Sequence, residues 1–291
     1  YANTFDIKEY INTLTINGIV LKDNIHSVEH KNRKKEILKE QIQTVSPSRF
    51  SIILTDDHGF DHLIGACGRE IFFSSLSINE TNEASPASKY KMSMGKSIEL
   101  EEQECITYGL ELLSPELKAK TQIFRNVVII AKNNMFGVNV FGEIDILLVV
   151  DGHPIPLEIK SFYGYEQTKH IFGNKSQIGR PKENYFLQIA GYVYLLQDPD
   201  KYELYLTNGD EANHIKSLIN KPCPCGINKY IDRTSGQTTM FEISVKQTGQ
   251  KTTDGFNDYE PLVDGCSFLP ITIKDIFLRC RDVSNYIERA K

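Results

Sequence analysis

No apolar run in this chain approaches the roughly 20 residues that a bilayer-spanning helix needs, so no membrane partner is expected. The opening Tyr1-Ala2-Asn3-Thr4-Phe5-Asp6 lacks the basic-then-apolar order of a secretory signal, and a cytoplasmic location is the expectation. Basic charge is not in excess either: the formal net charge is −5. That excludes no function class, because a carboxylate-rich metal site adds negative charge while a local basic groove can still bind a polyanion. Cysteine is sparse and scattered, at positions 67, 105, 223, 225, 266 and 280. A chain of 291 residues buries enough core to do without disulfide staples, which leaves reduced thiols or a metal site. Internal repeats and low-complexity tracts are also missing.

What is present is an ordinary globular pattern, with 40% hydrophobic and 24% charged residues. The first 45 residues read as an N-terminal helical arm, with a charged helix over Glu29–Gln43 carrying Ile37, Leu38 and Ile42. Residues 76–90 are polar and read as a loop. Ile98, Cys105, Ile106, Leu110 and Leu113 form an apolar stripe that predicts a helix over Met94–Leu113, ended by Pro115. Short β-rich runs follow at 127–130, 138–150 and 155–162. Asp151-Gly152 between the last two is a hairpin signal. After a basic loop at 163–184 come a helix over Tyr185–Leu196 and a strand over Tyr202–Leu206. Beyond them lie a hairpin near Met240–Val245 and a C-terminal helix from about Ile273 to Arg289. This order predicts an α/β fold around one mixed sheet.

The chemistry concentrates in Gly142-Glu143-Ile144-Asp145 and Leu157-Glu158-Ile159-Lys160. A carboxylate inside the apolar run Ile144–Val150 costs several kcal/mol unless it is paired or binds a cation. Glu158 and Lys160 are two apart on a strand and share a face. The hairpin can bring Asp145 beside them. Two carboxylates can hold a hard divalent ion, Mg²⁺ or Mn²⁺, which polarises a phosphoryl oxygen and acidifies a bound water. An ammonium there can orient the water or offset charge on the phosphate. The bland alternative is a solvated strand on which Glu and Lys merely pair.

Gly142-x-x-Asp145, Glu158-x-Lys160 and Gln188-x-x-x-Tyr192, in that order, resemble the RecB-like branch of the PD-(D/E)XK nucleases, a branch that includes CRISPR spacer-acquisition nucleases and phage exonucleases. The resemblance covers roughly residues 46–200. It implies a restriction-endonuclease-like core, a central mixed β-sheet flanked by helices. It also implies a Mg²⁺- or Mn²⁺-dependent DNA exonuclease of recombination, repair or replication. Asp145, Glu158 and Lys160 would be catalytic, and Gln188 and Tyr192 would line the DNA side of the site. Gly95-x-x-x-Glu99 matches the family's first motif and makes Glu99 a metal ligand with Asp145, Glu158 and the Ile159 carbonyl. Ser46-Pro47-Ser48-Arg49-Phe50 with Cys67-Gly68-Arg69-Glu70-Ile71-Phe72-Phe73 resembles the opening of the CRISPR-type members.

Some relatives carry an iron–sulfur cluster, and Cys67 stands where its first ligand would be. Cys223, Cys225, Cys266 and Cys280 depart from the close run that supplies the other three, so a cluster is not the favoured cofactor. The 163–184 loop interleaves Lys169, Lys175, Arg180 and Lys182 with Phe162, Tyr163, Tyr165, His170 and Phe172, a composition suited to phosphates and unpaired bases. The expected organisation is a 1–45 arm, a 46–210 nuclease core and a 211–291 extension packed on it. The expected partners are linear or single-stranded DNA and a helicase or recombination protein. For a phage-encoded member the location would be the host cytoplasm. Two competing readings are an RNA endonuclease of the same fold and a non-catalytic nucleic-acid-binding subunit.

Overall fold

The structure, a computed structural model, describes residues 6–22, 46–56, 58–67, 85–131, 140–206, 212–251 and 257–290. Helix α1 (Ile7–Lys22) is followed by a 3₁₀ turn at Pro47–Arg49 and a hairpin of β1 (Ser51–Thr55) and β2 (Asp61–Gly65). Helices α2 (Pro86–Gly109) and α3 (Pro115–Lys120) lead into β3 (Thr121–Ala131), β4 (Val140–Val150) and β5 (His153–Phe162). Next come α4 (Tyr165–Phe172), the small strands β6 (Gly173–Asn174) and β7 (Gln177–Ile178), α5 (Glu183–Leu195), β8 (Glu203–Leu206) and α6 (Ala212–Leu218). The chain closes with β9 (Gly226–Asp232), β10 (Thr238–Lys251), β11 (Asn257–Val263), β12 (Cys266–Ser267) and α7 (Ile273–Ala290).

The fold is α/β, with a large mixed sheet flanked by helices. Eight strands run in the order β12-β11-β10-β9-β5-β4-β3-β8. Among the described residues, the central β5–β9 pair alone is parallel. Alternate strand residues feed two cores. Val127, Ile129, Leu147, Tyr230 and Phe241 pack with α5 and α7. Ile146, Leu148, Leu157, Ile159 and Ile227 pack with α1 and α2. The Asp-Gly hairpin forms as read, with Asp151 and Gly152 both at positive φ (50° and 82°) between the paired Val150 and His153. Among the described residues, no helix is long and apolar enough to cross a membrane.

Three expectations are corrected. Residues 211–291 are not an extension on the core, because β9 pairs with Leu157–Phe162 of β5 and carries the sheet onward through β10 to β12. A bare β5 would have left a row of unpaired backbone groups at the site's edge. Helix α2 begins at Pro86, eight residues before the expected start. Ser85 Oγ accepts the Ser88 N–H at 3.1 Å and Pro86 fills the first turn, so capping rather than an apolar stripe sets the start. The basic 163–184 segment is not an irregular loop but folds as α4 and the β6–β7 hairpin, anchored by buried Ile171. The arm contains α1, whose Ile7, Tyr10, Ile11 and Leu14 give the i, i+3, i+4, i+7 stripe buried against α2. The expected helix at Glu29–Gln43 and the Gly68–Phe73 part of the opening lie outside the described residues.

Candidate active site

The site sits where the sheet splits. Strands β4 and β5 pair from Val150–His153 to Ile146–Leu157 and then separate. At the split the side-chain alternation slips by one residue. Ile144 and Leu147 lie in one core, while Ile146 and Leu148 lie in the other. Strand β3 slips at the same level: Ile123 packs in the α1/α2 core and Val127 in the α5/α7 core. Between them Asn126 adopts φ 52°, an uncommon left-handed conformation for a non-glycine residue, opposite Asp145. Freed from either core, the Asp145 carboxylate takes over a ladder position. Its Oδ2 accepts the Ile159 N–H at 2.9 Å.

Glu158 and Lys160 project from β5 toward α5, and Lys160 Nζ lies 2.5 Å from Glu158 Oε1 and 3.8 Å from Asp145 Oδ2. Lys160 and Asp145 are about one-fifth exposed, whereas the Glu158 side chain is 2% exposed. Glu158 therefore forms the floor and the other two face the opening. Burial, reinforced by the Asp145 charge, pushes the Glu158 carboxyl up to about 8. Burial also raises Asp145, against the pull of Lys160. For Lys160 burial works against the charged form, but Glu158 and Asp145 outweigh it and the ammonium is held above its ordinary value. The Lys160 ammonium also lies over the Tyr185 ring, 5.3 Å from its centroid.

Gln188 and Tyr192 are 4% and 1% exposed, so they lie beneath the carboxylates rather than at the opening. The Gln188 amide favours the ionised form of both Glu158 and Tyr192. The Tyr192 hydroxyl donates to the Glu143 carbonyl at 2.9 Å. This explains Gly142: a Cβ there would stand 2.7 Å from Tyr192 Cε1 and 2.8 Å from Pro47 Cδ. The glycine of one motif thus makes room for the tyrosine of another.

Glu99 reaches the site from α2, on the opposite face. Its Oε1 accepts the Ser161 N–H at 3.0 Å and the Ser161 hydroxyl at 3.1 Å. Its charge is felt by Asp145 and Lys160. Among its neighbours, Glu102 is not simply a solvated acid. It lies 2.5 Å from the buried Lys229 Nζ, which also donates to Thr15 Oγ1 at 2.7 Å and so ties α1, α2 and β9 together. Ser161 and Arg233 are site residues that sequence reasoning missed. Ser161 follows the Glu-x-Lys motif directly, but nothing near Arg233 marks it.

A divalent cation fits this donor set. Glu158 Oε2 is buried with no hydrogen-bond partner, and two carboxylates are raised by desolvation that a cation would relieve. As the side chains lie, no group of three or more His, Cys, Asp or Glu among the described residues has metal-ligand geometry. Glu99 is turned to Ser161, and the Ile159 N–H is the backbone group engaged with Asp145. Cys223, Cys225 and Cys280 are buried in the two apolar cores. Burial pushes the Cys225 and Cys280 thiols up to about 12, and Cys223 is raised in the same way. Cys67 and Cys266 are exposed.

The basic segment borders the site. Lys182 precedes the first turn of α5, and its N–H donates to the Tyr230 hydroxyl at 3.0 Å. Lys169, His170 and Lys182, with Glu166, Gln177, Glu183 and Asn184, line a groove of about 530 Å³. Phe162 and Phe172 turn inward, 6.0 Å apart, while Tyr163 and Tyr165 remain exposed.

No family model matches the chain, and no curated protein matches it significantly. A solved structure described as SSO0001 aligns over 99% of this chain and 89% of its own, with 11% identity and a TM-score of 0.39. A likeness that distant carries no argument about fold or activity.

Proposed function

We propose that this chain is a Mg²⁺- or Mn²⁺-dependent nuclease of the PD-(D/E)XK type that hydrolyses DNA phosphodiesters. One observation carries the reading. Asp145, Glu158 and Lys160 converge at a split in the sheet, with Glu158 Oε2 buried and unpartnered. Supporting it is the large mixed sheet flanked by helices, which accords with the core that the Gly-x-x-Asp, Glu-x-Lys and Gln-x-x-x-Tyr motifs imply.

Asp145 and Glu158 would hold the cation, with Glu99, its Oε1 kept on Ser161, free to join through its other oxygen. When bound, the ion supplies Lewis acidity at a phosphoryl oxygen and a more acidic water. Lys160, held charged by its carboxylates, is placed to meet the negative charge that grows on the phosphate. Gln188 and Tyr192 fix the floor, so that Glu158 keeps one orientation. The groove beside α4 and the exposed Tyr165 offer Lys169 and Lys182 for backbone phosphates and a ring for an unpaired base.

Digestion of end-labelled linear DNA and closed circular DNA with Mn²⁺ tests this. Loss of the linear substrate alone, absent in Asp145→Ala and Lys160→Ala, is the expected result for an exonuclease. Nicking of the circle keeps the chemistry but makes the cutting endonucleolytic. Binding without cleavage of DNA or RNA contradicts the enzymatic reading and leaves a nucleic-acid-binding subunit.

A further inference from the structure

We infer that Arg233 is a positioning residue for Glu99, acting through Ser161; this rests on the metal-dependent reading above. Arg233 lies just past β9, outside every motif the sequence singled out. Its backbone N–H donates to the Phe162 carbonyl at 2.9 Å, which fixes it against the end of β5. Its guanidinium then makes a three-way clamp. Nη2 donates to the Ser161 carbonyl at 3.1 Å, Nε to the Ser161 hydroxyl at 3.1 Å, and Nη1 to the Lys91 carbonyl of α2 at 2.8 Å. The Tyr163 ring covers it, 5.7 Å from centroid to Cζ.

The consequence for Ser161 is directional. A hydroxyl has one proton, and Arg233 Nε can only donate, so it occupies an acceptor lone pair. The Ser161 proton is thereby left for the two acceptors in range, Glu99 Oε1 at 3.1 Å and the Gly95 carbonyl at 3.0 Å. Both lie on α2, one helical turn apart. With the Ser161 N–H also on Glu99, the carboxylate is held at the end of β5, against the residue that directly follows Lys160. Gly95 completes the device. A Cβ there would meet Arg233 Nη2 at 2.0 Å, so the glycine of the Gly-x-x-x-Glu motif clears the path of the guanidinium. Lysine could supply the charge but not the planar fork.

The test is Mn²⁺ affinity without DNA, read by electron paramagnetic resonance of free Mn²⁺, with melting temperature measured in parallel. Groups that orient a metal ligand typically change affinity about 10- to 100-fold when lost. Arg233→Ala, Arg233→Lys and Ser161→Ala should each weaken Mn²⁺ binding by about tenfold or more. In a Glu99→Gln background they should add little. Wild-type affinity in folded Arg233→Lys and Ser161→Ala, with only the melting temperature lowered, would overturn the positioning role and leave the metal site standing. A wild-type protein that binds no Mn²⁺ would overturn the metal-dependent reading and this inference together. Ser161→Ala removes a single oxygen, so a failure of Arg233→Ala to fold does not remove the test.

Discussion

The Asp145 carboxylate accepts the Ile159 N–H at 2.9 Å at the point where the β4–β5 ladder ends. A side chain has replaced a strand as hydrogen-bond partner, and the opening this leaves is the site. Asp145 is consequently both a structural cap on β5 and one of two carboxylates beside Lys160.

The charge balance gives opposite effects for two substitutions. Two carboxylates share one ammonium, and burial opposes both of them. Glu158→Gln leaves one carboxylate per ammonium and should stabilise the metal-free protein by about 1–3 kcal/mol while abolishing cleavage. Lys160→Met leaves the carboxylates uncompensated and should destabilise it by a similar amount. Urea denaturation at pH 8 in EDTA measures both. Equal shifts of the same sign would contradict this balance.

The pH dependence follows from Glu158. Its folded pKa of about 8 lies above the unfolded value near 4.5. The folded state then binds the proton more tightly, so this group's contribution is present below about pH 4.5 and is lost as pH rises to about 8. Metal-free protein should lose stability across that window, and Glu158→Gln should flatten the profile. Stabilisation by Mn²⁺ should be larger at pH 8 than at pH 6, because the ion takes the place of the proton. Parallel profiles for wild type and Glu158→Gln would count against the assignment.

Gly142→Ala probes the contact between two motifs. Its methyl would press on Tyr192 and Pro47 at 2.7–2.8 Å, an overpacking that typically costs about 1–3 kcal/mol. Tyr192→Phe should cost only about 1 kcal/mol, the value of the hydrogen bond to the Glu143 carbonyl. Denaturant midpoints check both values. A neutral Gly142→Ala would mean that Tyr192 does not pack there.

The sequence disclosed the hairpin and the convergence of Asp145, Glu158 and Lys160, because a period of two and an Asp-Gly turn are local rules. The slip at Asn126 and Asp145 left no trace in it. The run Ile146–Val150 is apolar on both faces, so a change of phase alters no residue type. Gln188 and Tyr192 were legible as one helix face, but the depth of Tyr192 depends on Gly142, which is distant in sequence. Arg233 comes from a segment that reads as separate and joins the site only because β9 pairs with β5. Early α2 is polar, so its cap at Ser85 rather than any periodicity marks its start.

Cleavage of labelled DNA under single-turnover conditions, with enzyme in excess, tests the central claim most directly. Wild type, Asp145→Asn and Lys160→Met would be compared in Mn²⁺ and in EDTA, each first checked for a native melting transition. Cleavage by wild type in Mn²⁺ only, with each folded variant slowed by about a hundredfold or more, is the expected result. Cleavage that survives EDTA, or that is undiminished in both folded variants, would show that Asp145, Glu158 and Lys160 are not the centre of a metal-dependent nuclease.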